Sequence, residues 1–211
     1  MTAEESPTTD LVLTNVGRLV TNDPVHGGLL GIIEDAALIA ESGVVTWVGA
    51  ADELPTDLPA EPTDVDGRSV VPGFVDAHTH TAYLGNRLDE FIRRMRGATY
   101  EEILAAGGGI HRTVADTRAA SMVDLIAATM GRLERMQATG TTTIEIKSGY
   151  GLDMETEFGL VSTVNALDLS LPIDIVSTFL GAHVVDPEFG DDREGYLALM
   201  NGPVLDIVGT G

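Results

Sequence analysis

The residues best placed to do chemistry are His78 and His80, separated by Thr79 at the end of a short apolar run. In a β-strand residues i and i+2 point to one face, so both imidazoles can reach a single metal ion from the strand's C-terminal end. The chain has no cysteine, which leaves His, Asp and Glu as the available metal ligands. An isolated His-x-His pair more often lines a polar surface than binds a metal, so the weight falls on its surroundings. Among the other candidates, Thr143, Glu145 and Lys147 alternate with Ile144 and Ile146, which puts these three on one face and favours a pairing of Lys147 with an interior acid over a carboxylated, metal-bridging lysine. Gly107-Gly108-Gly109 lacks the strand-loop-helix spacing of a phosphate cradle and reads as a flexible loop near a site entrance. His26 and His111 read as surface histidines, and Asp76 reads as a structural hydrogen-bonding group.

Two kinds of element must position these residues. From Leu11 to about Val71 short strands alternate with turns: Leu11–Leu13, Ala37–Ala40, a Glu41-Ser42-Gly43 turn and Val44–Val48. The segment from Asp52 to Asp66, rich in proline and acid, reads as a loop, and Arg68–Val71 resumes a strand. After Pro72 strands alternate with helices, the pattern of βαβ units and a parallel sheet. Phe74–Ala77 reads as a buried strand. Thr99 with Glu102 forms a possible capping box, and Ser121 precedes a stripe of Met122, Ile126, Met130 and Leu133. Thr141–Ile146 is a second strand. Asp153 is an N-cap candidate for a helix presenting Met154, Phe158, Val161 and Val164 on one face, and Ile173–Leu180 is a third strand. Arg193 to Gly211 offers one weak helix. The expected fold class is α/β, with a small β-domain over residues 1–70 and three or so β/α units over 71–211.

The bulk properties narrow the partners. In 211 residues, 12 Lys and Arg stand against 33 Asp and Glu, giving a net charge of -21, which repels phosphate backbones and anionic lipid. Neither nucleic acid nor a membrane is an expected partner. Lys147 is the only lysine. The first residues lack the basic and apolar regions of a signal peptide, so the expected compartment is the cytoplasm.

The run Val70-Val71-Pro72-Gly73-Phe74-Val75-Asp76-Ala77-His78-Thr79-His80, preceded by a small β-domain, is similar to the start of an amidohydrolase barrel. More narrowly, Arg87, Asp89-Glu90-Phe91, Arg96–Tyr100, Ala106–Ile110, Lys147-Ser148-Gly149-Tyr150-Gly151-Leu152 and Ser177–His183 resemble the imidazolonepropionase family. These ordered motifs cover residues 70 to 187. The resemblance implies a (β/α)8 barrel fused to a β-sandwich, one zinc or iron ion, and hydrolysis of 4-imidazolone-5-propanoate to N-formimidoyl-L-glutamate in histidine breakdown. It matches His78 and His80 to the first two metal ligands, and Arg87, Tyr150 and His183 to substrate-binding positions. Arg87 can then pair bidentately with the propanoate carboxylate, Tyr150 can donate a hydrogen bond, and His183 can polarise the ring carbonyl or steady an oxyanion as a catalytic residue. The Lys-Ser-Gly-Tyr-Gly context fits the mononuclear subfamily and argues against a carboxylated, metal-bridging Lys147.

The same resemblance puts the family's third metal histidine and its metal aspartate further along the barrel than Gly211, so this chain corresponds to the N-terminal portion of such an enzyme. A full barrel takes about 250 residues. The expectation is therefore a chain inactive on its own, a homodimer when full length, or a chain completed by a second one. The rival readings are another mononuclear amidohydrolase, such as a heterocycle deaminase, and a non-catalytic fragment.

Overall fold

The computed structural model describes residues 10–209, and the chain divides into two compact units after Pro72. In the first unit β1 (Leu11–Val20), β2 (Ile32–Glu41), β3 (Val44–Ala50), β4 (Pro62–Asp64) and β5 (Ser69–Val70) form a five-stranded sheet. Its order is β3-β2-β1-β4, with β5 also on β1. β2 and β3 are antiparallel and joined at Ser42-Gly43, both with positive φ (51° and 79°). That is the mirror-image turn whose twist matches a hairpin. β4 and β5 run parallel to β1 on its other side, and the register of β1 breaks between Leu13 and Val16. Asn15 lies in this break with φ 54°, and its amide donates to Asp64 Oδ1 at 2.8 Å. The expected loop from Asp52 to Asp66 thus contains a strand; Pro62 is tolerated because it opens a short strand at the sheet edge. Val16, Leu19 and Ala36 centre the core of this unit, and its described residues form one sheet where a sandwich was expected.

The second unit holds β6 (Phe74–Thr79), then α1 (Leu88–Met95), α2 (Tyr100–Ala105), α3 (Ile110–Arg118) and α4 (Met122–Gln137). β7 (Thr141–Lys147), α5 (Met154–Asp168), β8 (Asp174–Thr178), α6 (Arg193–Leu199), a π-helical turn Met200–Val204 and α7 (Leu205–Val208) complete it. The three strands make a parallel sheet in the order β6-β7-β8. Each expected cap is present. Thr99 and Glu102 exchange side-chain-to-backbone bonds as a capping box, Ser121 accepts from Asp124 N–H, and Asp153 accepts from Thr156 N–H.

Ile144 and Ile146 of β7 are fully buried against Leu125 and Leu133 of α4 and Leu160, Val164 and Leu167 of α5. Side-chain alternation sends Thr143, Glu145 and Lys147 to the opposite face. The helical stripes hold in part: Leu133 of α4 and Val161 and Val164 of α5 are buried as expected and Ile126 and Met130 pack against the core, while Leu125 and Thr129 join them and Met122 and Phe158 are exposed. β6 is an edge strand with Phe74 and Val75 exposed, against the expectation of a buried strand. No helix among the described residues is long and apolar enough to cross a membrane.

Candidate active site

His78 lies on β6 and His80 directly follows it, with ring centroids 5.6 Å apart and ring planes at 62°. Thr79 between them donates to the Glu145 carbonyl at 2.8 Å and accepts from Thr81 at 2.8 Å, fastening this end of β6 to β7. His78 is exposed and His80 half-buried. The Nδ1 of His80 is buried without a hydrogen-bond partner. Burial, together with the nearby His183, His78 and Lys147, holds the His80 pKa below the usual histidine range against the opposing pull of Glu145. A lowered pKa favours the neutral ring.

His183 stacks on His80 with centroids 4.7 Å apart and planes at 11°. Its loop follows β8, and its Nδ1 lies 3.2 Å from the Gly149 carbonyl. A carbonyl only accepts, so this contact is a hydrogen bond in the tautomer that carries the proton on Nδ1. Tyr150 is 5.1 Å from His80 and 5.7 Å from His183 between ring centroids. Burial pushes the Tyr150 phenol up, with Arg87 working against it by charge and hydrogen bond. Arg87, just before α1, shares with Tyr150, Tyr83, Asn86 and Thr113 a cavity of about 270 Å³. Tyr83 is held by Arg132, whose guanidinium lies 3.7 Å from the ring centroid and donates to the Tyr83 carbonyl at 2.8 Å.

All five residues singled out for metal and substrate thus converge. Ring contacts join His78 to His80 and His80 to both Tyr150 and His183, and Arg87 meets Tyr150 across the cavity. Lys147 forms its ion pair with Glu145. Burial pushes the Glu145 carboxyl up, but the hydrogen bonds from Lys147 and Thr178 outweigh it, and the group stays below the usual carboxylate range. Its Oε2 is buried without a partner. Asp76 makes only a long 3.5 Å contact from His78 N–H. Among the described residues no three His, Asp or Glu side chains converge closely enough to hold a metal by themselves.

Other candidates moved. His111 is half-buried with an unpartnered Nδ1 rather than a surface residue, because α3 packs along one side. His26 is also half-buried, in a 3-10 turn. The glycine loop is anchored: the buried carboxylate of Glu90 accepts the Gly109 N–H at 3.0 Å. Residues that sequence reasoning passed over are Glu90, Arg118 and Glu157, each holding a loop through backbone groups. Glu157 has one signal in the sequence, an acid beside Phe158, Leu160 and Val161 on a helix that follows a glycine-rich turn.

No protein-family model matches the chain. It is 42% identical over 207 residues to the imidazolonepropionase of Herpetosiphon aurantiacus, covering 96% of this chain and 48% of that protein. The imidazolonepropionase of Caulobacter vibrioides is 46% identical over 183 residues, covering 87% and 45%. That of Haloarcula marismortui is 43% identical over 195 residues, covering 90% and 46%. Among solved structures, a triazine hydrolase from Arthobacter aurescens superposes with a TM-score of 0.58 at 15% identity, over 92% of this chain and 42% of that one, a likeness of fold. The chain spans about half the length of the curated relatives it matches. By sequence the chain is similar to about half of each of these imidazolonepropionases.

Proposed function

We propose that this chain forms the part of a mononuclear, metal-dependent cyclic-amide hydrolase that starts the metal site and anchors the substrate, with 4-imidazolone-5-propanoate as substrate and N-formimidoyl-L-glutamate as product. The observation that supports the reading is that Arg87 and Tyr150 line one cavity, with the Tyr150 ring 5.1 Å from His80. The cavity, about 270 Å³, is just below the span of roughly 300–1,000 Å³ usual for small-molecule sites.

The histidine pair fits a metal. With metal–nitrogen bonds of about 2.0–2.1 Å, two imidazoles on one tetrahedral ion have ring centroids roughly 5 Å apart, and the pair here stands at 5.6 Å with the His80 Nδ1 unpartnered. His78 and His80 would hold the ion, and the third histidine and the aspartate that the family resemblance implies would come from further polypeptide. A bound zinc or iron ion supplies Lewis acidity that activates water toward the ring carbonyl carbon. Arg87 would clamp the propanoate through paired N–H donors, which fixes the ring's distance from the histidines. Tyr150, kept protonated, would donate to the substrate. His183 has Nδ1 committed to Gly149, so its Nε2 donates only when the ring is cationic and accepts when it is neutral. One atom can thereby steady a developing oxyanion and then exchange a proton. The barrel and sandwich of the complete enzyme belong to this reading.

The test is hydrolysis of 4-imidazolone-5-propanoate with added zinc or iron, by this chain alone and by a polypeptide that joins it to the remaining half of the Herpetosiphon aurantiacus relative. Turnover is expected from the joined protein alone. There Arg87→Ala should act mainly on KM and cost on the order of 2–4 kcal/mol in kcat/KM, and Arg87→Lys should rescue only partly. An unchanged kcat/KM in Arg87→Ala, or ordinary enzyme rates from the chain alone, would overturn the reading.

A further inference from the structure

Glu157 is fully buried in the first turn of α5, where a charge stands only if its partners replace water. It has three, all backbone amides of one loop. Oε2 accepts the Gly149 N–H at 3.0 Å, and Oε1 accepts those of Gly151 and Leu152 at 2.8 Å each. This is the loop that carries Tyr150.

The loop does not hold that shape by local preference. Gly149 has φ 103° and Leu152 φ 61°, and a leucine in the left-handed region is strained. It also sits tightly on the helix: a Cβ on Gly151 would stand 2.6 Å from Glu157 N, and one on Gly149 would stand 2.7 Å from the Leu180 carbonyl and 3.1 Å from His183 Nδ1. The neighbouring His183 loop is tied to it. Leu180 N–H donates to Ser148 Oγ at 2.9 Å, and Ser148 N–H donates to the Thr178 carbonyl at 2.9 Å.

Gly149 links the two. Its N–H goes to Glu157, and its carbonyl receives His183 Nδ1. That carbonyl can only accept, so it favours the His183 tautomer with the proton on Nδ1.

We propose that Glu157 is a positioning residue of the site: its carboxylate fixes the Gly149–Leu152 backbone so that Tyr150 faces the histidine pair and His183 is held as the Nδ1–H tautomer with Nε2 free. The proposal deepens the reading of His183 as the group that handles a proton, and it rests on that reading for its consequence in catalysis. Its test needs no turnover, so its failure and the failure of the proposed activity are separable.

The experiment is amide hydrogen exchange together with imidazole nitrogen NMR on the 211-residue chain, unaltered and as Glu157→Gln, with Glu155→Gln on the same helix as control. A glutamine keeps the shape but offers one acceptor oxygen, and its NH2 turns a donor toward a donor. In the unaltered chain the amides of Gly149, Gly151 and Leu152 should be protected and His183 should show the Nδ1–H tautomer. In Glu157→Gln exchange at the three amides should rise at least about 10-fold, and His183 should become a mixture of tautomers. Glu155→Gln should change neither. A carboxylate that merely stabilises the helix would speed exchange and leave the His183 tautomer as it was, so a folded Glu157→Gln chain with unchanged His183 nitrogen shifts overturns the proposal. Should that variant not fold, the unaltered chain decides: open-loop exchange at the three amides, or a His183 proton on Nε2, overturns it.

Discussion

Arg118 closes the outer side of the loop that Glu157 holds from within, and replacing it by Met should show how strongly. Its Nε donates to the Gly151 carbonyl at 2.7 Å and lies 2.8 Å from Asp153 Oδ2, while its terminal nitrogen pairs with Asp186. Burial alone would lower the guanidinium pKa, but the Asp186 hydrogen bond and the charges of Asp153 and Asp186 raise it, as an engaged cation requires. The three contacts differ in worth. The side chains of Arg118 and Asp153 are 26% and 37% exposed, which limits that pair to about 1 kcal/mol at most. Asp186 is only 4% exposed, so removing its cation leaves a buried carboxylate. Solvent at Arg118 and the Glu188 N–H on Asp186 Oδ1 reduce the about 3–5 kcal/mol of a fully buried broken pair to roughly 2. The bond to Gly151 adds about 1 kcal/mol. Arg118→Met should therefore lose about 3–4 kcal/mol, lowering Tm by roughly 6–15 °C for a chain of this size. Far-ultraviolet circular dichroism is the suitable probe, since all the described α-helices lie in the second unit. A double-mutant cycle with Asp186→Asn should give a coupling of about 1–2 kcal/mol. A coupling below about 0.5 kcal/mol would refute the claim that this pair, rather than side-chain packing, holds the loop.

Two further outcomes follow from the same region. Gly149→Ala places a Cβ at φ 103° against the Leu180 carbonyl and His183 Cβ, and should destabilise the second unit by more than about 1 kcal/mol in urea unfolding while shifting the His183 ring resonances. The Tyr196 hydroxyl donates to the Gly181 carbonyl at 2.6 Å, and burial first, then the neighbouring Glu157 and Asp186, push its pKa far above the usual 10. A raised folded-state pKa stabilises fully below the unfolded value and is lost as pH rises through the folded one. Tyr196→Phe should accordingly lower stability at pH 7 by about 1–3 kcal/mol and flatten the loss of stability above about pH 10, as read from chemical denaturation across alkaline pH.

The sequence by itself determined the local features, because each rests on chemistry within a few residues. Thr99, Ser121 and Asp153 cap helices by bonding their own following backbone, and Ser42-Gly43 supplies the two positive φ angles of a hairpin turn. The alternation through Thr143, Glu145 and Lys147 set Lys147 to pair with an acid on the inner face, and its partner is Glu145. The spacing of His78 and His80 is short enough that their ring centroids stand 5.6 Å apart at the end of β6. Arg87, Tyr150 and His183 were legible as site residues only through resemblance to a family, since nothing in their spacing along the chain brings them together. Tertiary structure decided the rest. Which side of α4 and α5 is buried depends on how they lie on β7, so Leu125 replaced Met122 and Phe158 turned outward. β4 arose inside an apparent loop because β1 had a free edge to pair with. Glu90, Arg118 and Glu157 act on backbone groups 19, 33 and 5 to 8 residues away. A carboxylate that accepts amides of a loop folded back on its own helix leaves no periodicity to read; its partners exist only once the chain has closed around it.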